Sequence, residues 1–322
     1  MEISARTQSV LLLTASFSRS VQGDAQPLKP VEWGRLANSL SENGLTPEDL
    51  LNKDTESFSK IFCEAEIALD RAISLLGRSS ALGLALERWL RIGIWIINRS
   101  DPAYPPRLKQ CLKSASPPIL YGCGDKNLLL RRGTTIVGQK KSTADEIAFA
   151  CELARLAAFG GMCVISILAN SQIEDAAVNT ALEDCGFAMI LVPSSLFQKT
   201  LSAKYRDQLI SGNLALVSPF SPEIGYDAQN LRHLENYRYC MAQAAIVVGN
   251  LTNKDNGWGG VIENLRHRWA PVWVSGKERL LSNTSELIKL GARRLPEKFE
   301  AKDMESLFVA FENLNLFDDK PN

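Results

Sequence analysis

The stretch TTIVGQKKST (Thr134–Thr143) decides the fold of this chain. Its first half is β-branched and apolar and predicts a buried strand, which a glycine and two lysines separate from a predicted helix. Two more apolar runs, MCVISIL (Met162–Leu168) and AMILV (Ala188–Val192), predict further strands, with helices between the three. Strands that alternate with helices form a parallel sheet, and its ligand crevice lies at the carboxyl ends of the strands.

The same alternation continues towards the C-terminus. Further strands are predicted at Leu214–Val217, Ala244–Val248 and Pro271–Val274, and further helices at Asn230–Met241 and Gly260–Arg268. Residues 1–100 carry mainly helical patterns, such as Trp33, Leu36 and Leu40 on one face, while IGIWII (92–97) at their end is interpreted as a strand. We therefore predict three segments: a helical N-terminal domain at 1–100, an α/β domain at 101–296 and a helical tail at 297–322.

Composition narrows the functional classes. The 322 residues include 36 Lys and Arg against 36 Asp and Glu, so contact with nucleic acid would need a local basic patch. No apolar run approaches the roughly 20 residues that span a bilayer, and we expect a cytoplasmic protein without a membrane partner. The seven cysteines form no CxxC pair, which favours buried free thiols, and with two histidines a metal site is not expected.

The loop after the first strand is the first candidate site, formed by Gly138, Gln139, Lys140, Lys141 and Ser142. A strand end, a glycine and a helix N-terminus together make an anion site, and a lysine adds charge. Ser142 with Asp145 is expected to form the capping box of the helix. The alternative is a pair of solvated lysines on a turn.

The loop after the second strand should lie beside the first loop. Its polar or small residues are Ser166, Ala169, Asn170 and Glu174. It contains no glycine, and a backbone that closely approaches a phosphate usually needs one.

Two later stretches add candidates. Asn236 and Arg238 lie on the helix before strand Ala244–Val248 and are good phosphate partners, or simply part of an exposed polar face. The stretch NGWGG (Asn256–Gly260) is interpreted as a glycine-rich loop, in which Gly257 and Trp258 could clamp a ligand. Trp258 could stack on a base, although tryptophan more often packs into a core. No catalytic set emerges, because no serine, cysteine or histidine stands in a recognisable frame.

Several stretches together resemble the DprA/Smf (DNA-processing) family over about residues 8–296. The most specific is RIGIWIINRSDPAYPPRLKQCLKSASPPILYGCGD (Arg91–Asp125). The others are TIVGQKK (135–141), SILANSQIEDAAVNTAL (166–182), ENYRYCMAQAAIVV (235–248), NGWGGVIENL (256–265) and NTSELIKLGA (283–292). The resemblance implies an α/β fold: a Rossmann-like parallel sheet domain with a small helical (SAM-like) domain at the N-terminus.

The resemblance also implies a function. Members bind single-stranded DNA and help to load a RecA-type recombinase during natural transformation, commonly as homodimers and without a cofactor. Position by position, the family's loop residues match Gly138, Lys140, Ser166, Ala169, Glu174, Asn236 and Arg238. This sequence departs from the pattern, since Ile167 and either Ser171 or Gln172 replace glycines, Val178 replaces a histidine, and Glu235 replaces an arginine.

Three hypotheses follow from these observations. The first is a non-catalytic protein that binds single-stranded DNA in DNA processing, supported by the basic neighbours Arg131, Arg132, Arg266 and Arg268. The second is a protein that binds or hydrolyses nucleotides, with Glu174 or Glu263 as the candidate catalytic carboxylate. The third is an interaction scaffold whose ligand site has decayed.

Overall fold

The computed structural model describes residues 3–17, 25–52, 54–169, 171–249, 251–252, 255–275, 284–296, 300, 303–304 and 306–307. The chain divides into two compact units. Unit 1 comprises Met1–Lys126, Ser194–Arg206 and Val217–Tyr226. Unit 2 comprises Asn127–Pro193, Asp207–Leu216 and Asp227–Asn322.

The N-terminal part of unit 1 is helical, as its sequence predicts. Its helices are α1 (Ala5–Thr14), α2 (Pro30–Glu42), α3 (Asp49–Asn52), α4 (Ser59–Glu64), α5 (Leu69–Leu76), α6 (Ser79–Arg91) and α7 (Pro106–Leu112). The apolar face predicted for α2 is confirmed, because Trp33, Leu36 and Leu40 are buried. Short 3-10 helices lie at Thr55–Phe58, Lys113–Ala115, Lys126–Leu130 and Ala203–Tyr205.

Two strands of unit 1 enclose the proline-rich stretch of the sequence. Strands β1 (Trp95–Asn98) and β2 (Ile119–Gly124) pair antiparallel. Between them, Asp101 Oδ1 accepts a hydrogen bond from the amide of Ala103 at 2.9 Å, and the Tyr104 hydroxyl donates to the carbonyl of Pro117 at 2.8 Å. These hydrogen bonds give the Asp and Tyr of this stretch a structural role in fixing the turn.

The remaining elements alternate as expected for an α/β protein. In order they are β3 (Gly133–Gly138), α8 (Ala144–Phe159), β4 (Cys163–Ile167), α9 (Gln172–Glu183), β5 (Phe187–Leu191), α10 (Leu196–Thr200), α11 (Arg206–Ser211), β6 (Leu214–Ser218), α12 (Ala228–Met241), β7 (Ala244–Val248), α13 (Asn256–His267), β8 (Val272–Val274), α14 (Thr284–Lys289) and β9 (Arg293–Arg294). Of these, α10 belongs to unit 1, and most of the others belong to unit 2. The strands predicted for this part of the sequence are confirmed to within about two residues at their ends, the usual uncertainty of element boundaries.

The sheet of unit 2 has a Rossmann-like parallel order, β6-β5-β4-β3-β7-β8-β9. Strand β3 pairs parallel with β4 on one side and with β7 on the other, so Thr134 lies opposite both Val164 and Ala244. The chain leaves β3 towards β4 and returns later to β7, which places the reversal of strand order beside β3. In open α/β sheets ligands bind at such a reversal, outside the carboxyl ends of the strands.

Two predictions about helix starts were wrong. The capping box of α8 uses Thr143 and Glu146 rather than Ser142 and Asp145: the Thr143 hydroxyl accepts from the Glu146 amide, and the Glu146 carboxylate accepts from the Thr143 amide. The second correction concerns α13, which begins at Asn256 instead of Gly260, so NGWGG forms its first turn and not a loop.

Candidate nucleic-acid interface

The candidate site lies in unit 2, where β3, β4 and β7 end and lead into α8, α9 and α13. The loop after β3 is held by its neighbours. The Ser142 amide donates to Gln172 Oε1 at 3.0 Å, and the Ser142 hydroxyl donates to the Gln139 carbonyl at 3.2 Å. Gly138 is buried, and a Cβ there would overlap the Ile173 side chain. The glycine therefore allows the start of α9 to pack against the end of β3.

Lys140 and Lys141 are the exposed residues of this loop. Within the described part of the chain, neither side chain has an ion pair or hydrogen bond. Both ammonium groups are therefore available to an anion, and the anchored residues 139 and 142 on either side of them limit how far the loop can move.

The first turn of α8 carries negative charge. Asp145 and Glu146 both lie there, and the capping box already binds the Glu146 amide. The Glu146 side chain is 6% exposed and fills the space beside Gly249, at the end of β7, where a Cβ would overlap it. Carboxylates at a helix N-terminus offset its partial positive charge. The anion contacts of this loop therefore depend on the lysines and not on the helix end.

The second loop leads into buried polar contacts. Ser166, near the end of β4, donates from its hydroxyl to Glu174 Oε2 at 3.0 Å, and the Ile167 amide donates to the same oxygen at 3.3 Å. Ser171 caps α9 by accepting from the Glu174 amide. Ala169 is half-buried, and Asn170 lies outside the described residues. Glu174 therefore points inward, towards β4.

Arg238 completes what we term the buried charge cluster: Ser166, Glu174, Glu235 and Arg238. Its guanidinium, 0% exposed, lies 2.9 Å from Glu174 Oε1 and also contacts the Glu235 carboxylate. A further hydrogen bond runs from Arg238 to the Tyr239 hydroxyl at 3.4 Å. The cluster thus joins α9 to α12. Arg238 presents no surface in this structure.

Burial and the neighbouring charges shift the pKa values of Glu235 and Arg238. Burial raises the pKa of Glu235 to about 7, because the nearby Arg238 only partly offsets desolvation and Glu174 adds repulsion. Burial alone would lower the pKa of Arg238, but the carboxylates of Glu174 and Glu235 raise it. One guanidinium between two carboxylates leaves an excess negative charge when both are ionised. Glu235 is the member that can relieve this excess by taking up a proton.

The remaining candidates lie on α12 and α13. Asn236 is half-buried next to Glu235. Gly257 is buried, and a Cβ on it would lie 3.2 Å from Val137 Cγ1, so it allows α13 to approach the end of β3. Trp258 is partly buried and packs against the core formed by α12, α13, β7 and β8. These residues lie on elements that follow or precede the same sheet edge.

The candidate catalytic carboxylates are both engaged. Glu174 belongs to the buried charge cluster. Glu263 lies on the opposite half of α13 from Gly257 and pairs with Arg266 at 2.8 Å and with His267 at 3.5 Å.

No group of three or more potential metal ligands occurs in the part of the chain that the structure describes. None of the seven cysteines, all of which the structure describes, forms a disulfide. Cys63 and Cys185 are exposed and Cys111 and Cys151 are half-buried, so the expectation of buried thiols was wrong for the two exposed ones.

The fold and this sheet edge define a Rossmann-like α/β protein. A family model for DNA recombination-mediator protein A matches residues 95–255, half of the sequence. The chain therefore belongs to the DNA recombination-mediator protein A family, which is the DprA family that the sequence resembles. Membership supports a role in DNA processing. None of the curated proteins matches the chain.

Solved structures agree on the fold. DNA processing protein A from Streptococcus pneumoniae superposes with a TM-score of 0.69 and 14% identity, over 96% of this chain and 99% of its own. The protein of the same name from Helicobacter pylori, whose structure describes a single-stranded DNA binding mode, gives a TM-score of 0.53 and 18% identity over 67% of this chain and 96% of its own. No helix in the described ranges is long and apolar enough to cross a membrane.

Two contacts at this sheet edge were not predicted from the sequence: Glu174 with Arg238, and Glu146 beside Gly249. Glu235 and Arg238 are three residues apart on a helix, a spacing that predicts a side-chain pair. Nothing in the sequence indicates that Glu174 joins them, since it lies on another helix. The position of Glu146 beside Gly249 likewise depends on the pairing of β3 with β7.

Proposed function

We propose that this protein binds single-stranded DNA without chemistry, at the carboxyl edge of the unit 2 sheet. The observation that carries the proposal is the pair of exposed lysines, Lys140 and Lys141, which have no partner among the described residues and lie on the anchored loop after β3. Family membership and the DNA-binding relative from Helicobacter pylori support it. The proposed neighbours of the DNA are Gln139, Ser142, Asn236, Gly257 and Trp258. Gly138, Ser166, Ala169 and Arg238 are proposed to shape that edge, while the predicted contact of Asn170 falls outside the described residues.

The wider role that we propose follows the family. The protein would act in the cytoplasm, in DNA uptake and recombination, as a homodimer that loads a RecA-type recombinase. The proposed division of the chain remains a helical domain at 1–100, a Rossmann-like domain at 101–296 and a tail at 297–322. A pull-down of purified recombinase in the presence and absence of single-stranded DNA tests the partner, and sedimentation tests the dimer.

The DNA contact is tested by the loop variant, Lys140→Gln with Lys141→Gln. Binding of a labelled single-stranded oligonucleotide is followed by fluorescence anisotropy from about 50 to 200 mM salt. If each lysine neutralises one phosphate, the variant lowers the slope of log K against log salt by about 1.4, or about 0.7 for each phosphate that is no longer neutralised.

The matched comparison is the control variant, Arg155→Gln with Lys289→Gln, which removes two exposed charges elsewhere in unit 2. We expect it to bind as the wild type does. Failure of the wild type to bind at the lowest salt, or an equal loss in both variants, would overturn the proposal. If the wild type binds free nucleotides but no single-stranded DNA, the nucleotide-binding hypothesis is favoured instead.

A further inference from the structure

The lysine loop, as we call residues 138–142 after β3, rests on the first turn of α9. The Ser171 hydroxyl, at the N-cap of α9, donates to the Gln139 carbonyl at 3.5 Å. The next residue, Gln172, accepts a hydrogen bond from the Ser142 amide through its Oε1 at 3.0 Å. The residues on either side of the two lysines are therefore both held by α9.

Apolar packing fixes the same turn against β3. Ile173 is 0% exposed, and its side chain occupies the space that a Cβ on Gly138 would need. On its other side the loop contacts α8, where Gln139 Nε2 donates to Glu146 Oε2 at 3.3 Å. The lysine loop thus lies between two helix starts, and its position depends on where α9 begins.

The fourth residue of that turn, Glu174, makes its contacts elsewhere. Its Oε2 accepts from the Ser166 hydroxyl at 3.0 Å and from the Ile167 amide at 3.3 Å, at the end of β4. Its other oxygen, Oε1, lies 2.9 Å from the Arg238 guanidinium on α12. Glu174 therefore joins the turn that supports the lysine loop to both β4 and α12.

Net stability does not account for this ion pair. The side chains of Arg238 and Glu174 are 0% and 6% exposed, so both charges have lost their contact with water. Removing two charges from water costs about as much as their attraction returns, and apolar residues of similar volume are often equally stable. What a buried pair supplies instead is one defined arrangement of the elements that it joins. Here that arrangement fixes the start of α9, which carries the lysine loop.

We propose that the Glu174–Arg238 ion pair positions the lysine loop for single-stranded DNA, although neither side chain touches the DNA. The pair holds the first turn of α9, and that turn holds the backbone on both sides of the two lysines. A loop that is already ordered loses less conformational freedom on binding, so its affinity is higher. The inference rests on the proposed function for its ligand, while the order of the loop can be measured without DNA.

Two matched variants separate the ion pair from the rest of the buried charge cluster. Glu174→Gln and Glu235→Gln each replace one buried carboxylate by an amide of similar size, and each leaves Arg238 with one carboxylate partner. Of the two residues, only Glu174 belongs to the turn that contacts the lysine loop. At fixed salt we expect Glu174→Gln to bind a labelled single-stranded oligonucleotide about 10-fold more weakly, because two lysine side chains must be ordered on binding. Glu235→Gln should bind as the wild type does.

The direction of this change distinguishes positioning from charge. Removing a carboxylate makes the protein more positive, which by itself would strengthen its attraction to phosphates. Weaker binding by Glu174→Gln therefore cannot come from the lost charge. The slope of log K against log salt should equal that of the wild type, because Lys140 and Lys141 still neutralise the same phosphates. Equal or tighter binding by Glu174→Gln, or the same loss in Glu235→Gln, would overturn the proposal.

Hydrogen exchange of the free protein measures the order of the loop directly. Amides exchange through local opening, so the amides of the lysine loop should exchange faster in Glu174→Gln and at the wild-type rate in Glu235→Gln. Gln172→Ala removes a contact between the turn and the loop without touching the cluster, and should act in the same direction. Combining it with Glu174→Gln should add little, because both residues act through the same turn. Full addition of the two effects would mean that Glu174 acts by another route, contrary to the inference.

The two proposals fail in distinguishable ways. If the wild type does not bind single-stranded DNA, or if the loop variant binds as the wild type does, the proposed function fails, and exchange alone decides whether the pair positions the loop. If the loop variant behaves as proposed while Glu174→Gln changes neither affinity nor exchange, only the positioning inference fails. Urea midpoints establish that the variants are folded. If Glu174→Gln does not fold, Arg238→Lys replaces it, since one ammonium group lacks the fork that joins both carboxylates, and the same two effects are expected.

Discussion

Arg238 has a different environment from the one its sequence suggests. On α12 it looks like an exposed phosphate ligand, yet its side chain is 0% exposed and contacts two carboxylates. A buried guanidinium is tolerated only when it is paired, and Glu235 at the i−3 position supplies a partner that the sequence alone could indicate. Glu174 could not be inferred, because its approach depends on how α9 and α12 pack. Glu235 is itself only 6% exposed and pairs with Arg238, so its carboxylate lies inside the fold.

Glu235 should make the stability of the protein depend on pH. Its folded pKa of about 7 lies above the ordinary value of 4.5, so the folded state holds a proton that the unfolded state releases between these pH values. The contribution of Glu235 to stability should therefore be full below about pH 4.5, decline as pH rises, and be lost above about pH 7, a change of up to about 3 kcal/mol. Glu235→Gln mimics the protonated acid and should flatten this curve, as measured by urea unfolding at several pH values. A Glu235→Gln variant whose stability still declines across the same pH range would show that another group titrates there.

Arg238 should be coupled energetically to Glu235. Arg238→Met leaves two buried carboxylates without a counter-ion, which should lower the free energy of unfolding by about 3–5 kcal/mol. Adding Glu235→Gln to this variant removes one of those charges and should recover at least about 1 kcal/mol. Urea unfolding of the two single variants and the double variant near pH 8 measures the coupling. Simple addition of the two single effects would mean that the side chains do not interact.

At the scale of elements, α13 shows why glycines were misread. A cluster of glycines after a strand suggests a ligand loop, but here it opens a helix that approaches its neighbours closely. Gly257 meets Val137 on β3, and a Cβ at Gly260 would lie 2.6 Å from Glu235 Oε2 and 3.0 Å from Glu235 Cβ on α12. Sequence patterns predicted the existence of this helix from its second half. They could not predict its start, because Gly257 and Gly260 are explained by contacts with other elements, which the sequence does not show.

Adjacent glycines of α13 should respond oppositely to alanine. Gly260→Ala forces its Cβ against Glu235, which Arg238 holds in place, and should destabilise the protein by about 1–3 kcal/mol. Gly259 has nothing within 4 Å of its Cβ position and lies in the helix, so Gly259→Ala should stabilise by up to about 1 kcal/mol. Urea midpoints of the two variants provide the test. The same sign for both would show that packing against α12 does not explain Gly260.

For the whole molecule, the periodicity of apolar residues was enough to predict the sheet. It was not enough to predict which side chains contact each other at the carboxyl ends of the strands. Apolar runs such as those of β3, β4 and β7 are buried by helices on the sheet, so their pattern reports the fold directly. The ligand edge depends instead on single contacts, such as Glu146 beside Gly249. The two lysines were predictable because exposure and charge are local properties. The charge cluster was not, because it needs three elements in place.

Salt dependence tests this picture of a neutral molecule that uses local charge. With 36 basic and 36 acidic residues there is no overall field, so affinity for single-stranded DNA should depend on the exposed cations of the loop after β3. If Lys140 and Lys141 each neutralise one phosphate, the slope of log K against log salt is about −1.4. The affinity for an oligonucleotide of about 30 nucleotides should then fall about 7-fold between about 50 and 200 mM salt. The loop variant should bring the slope close to zero. A slope that stays steep in the loop variant would mean that other basic residues contact the DNA.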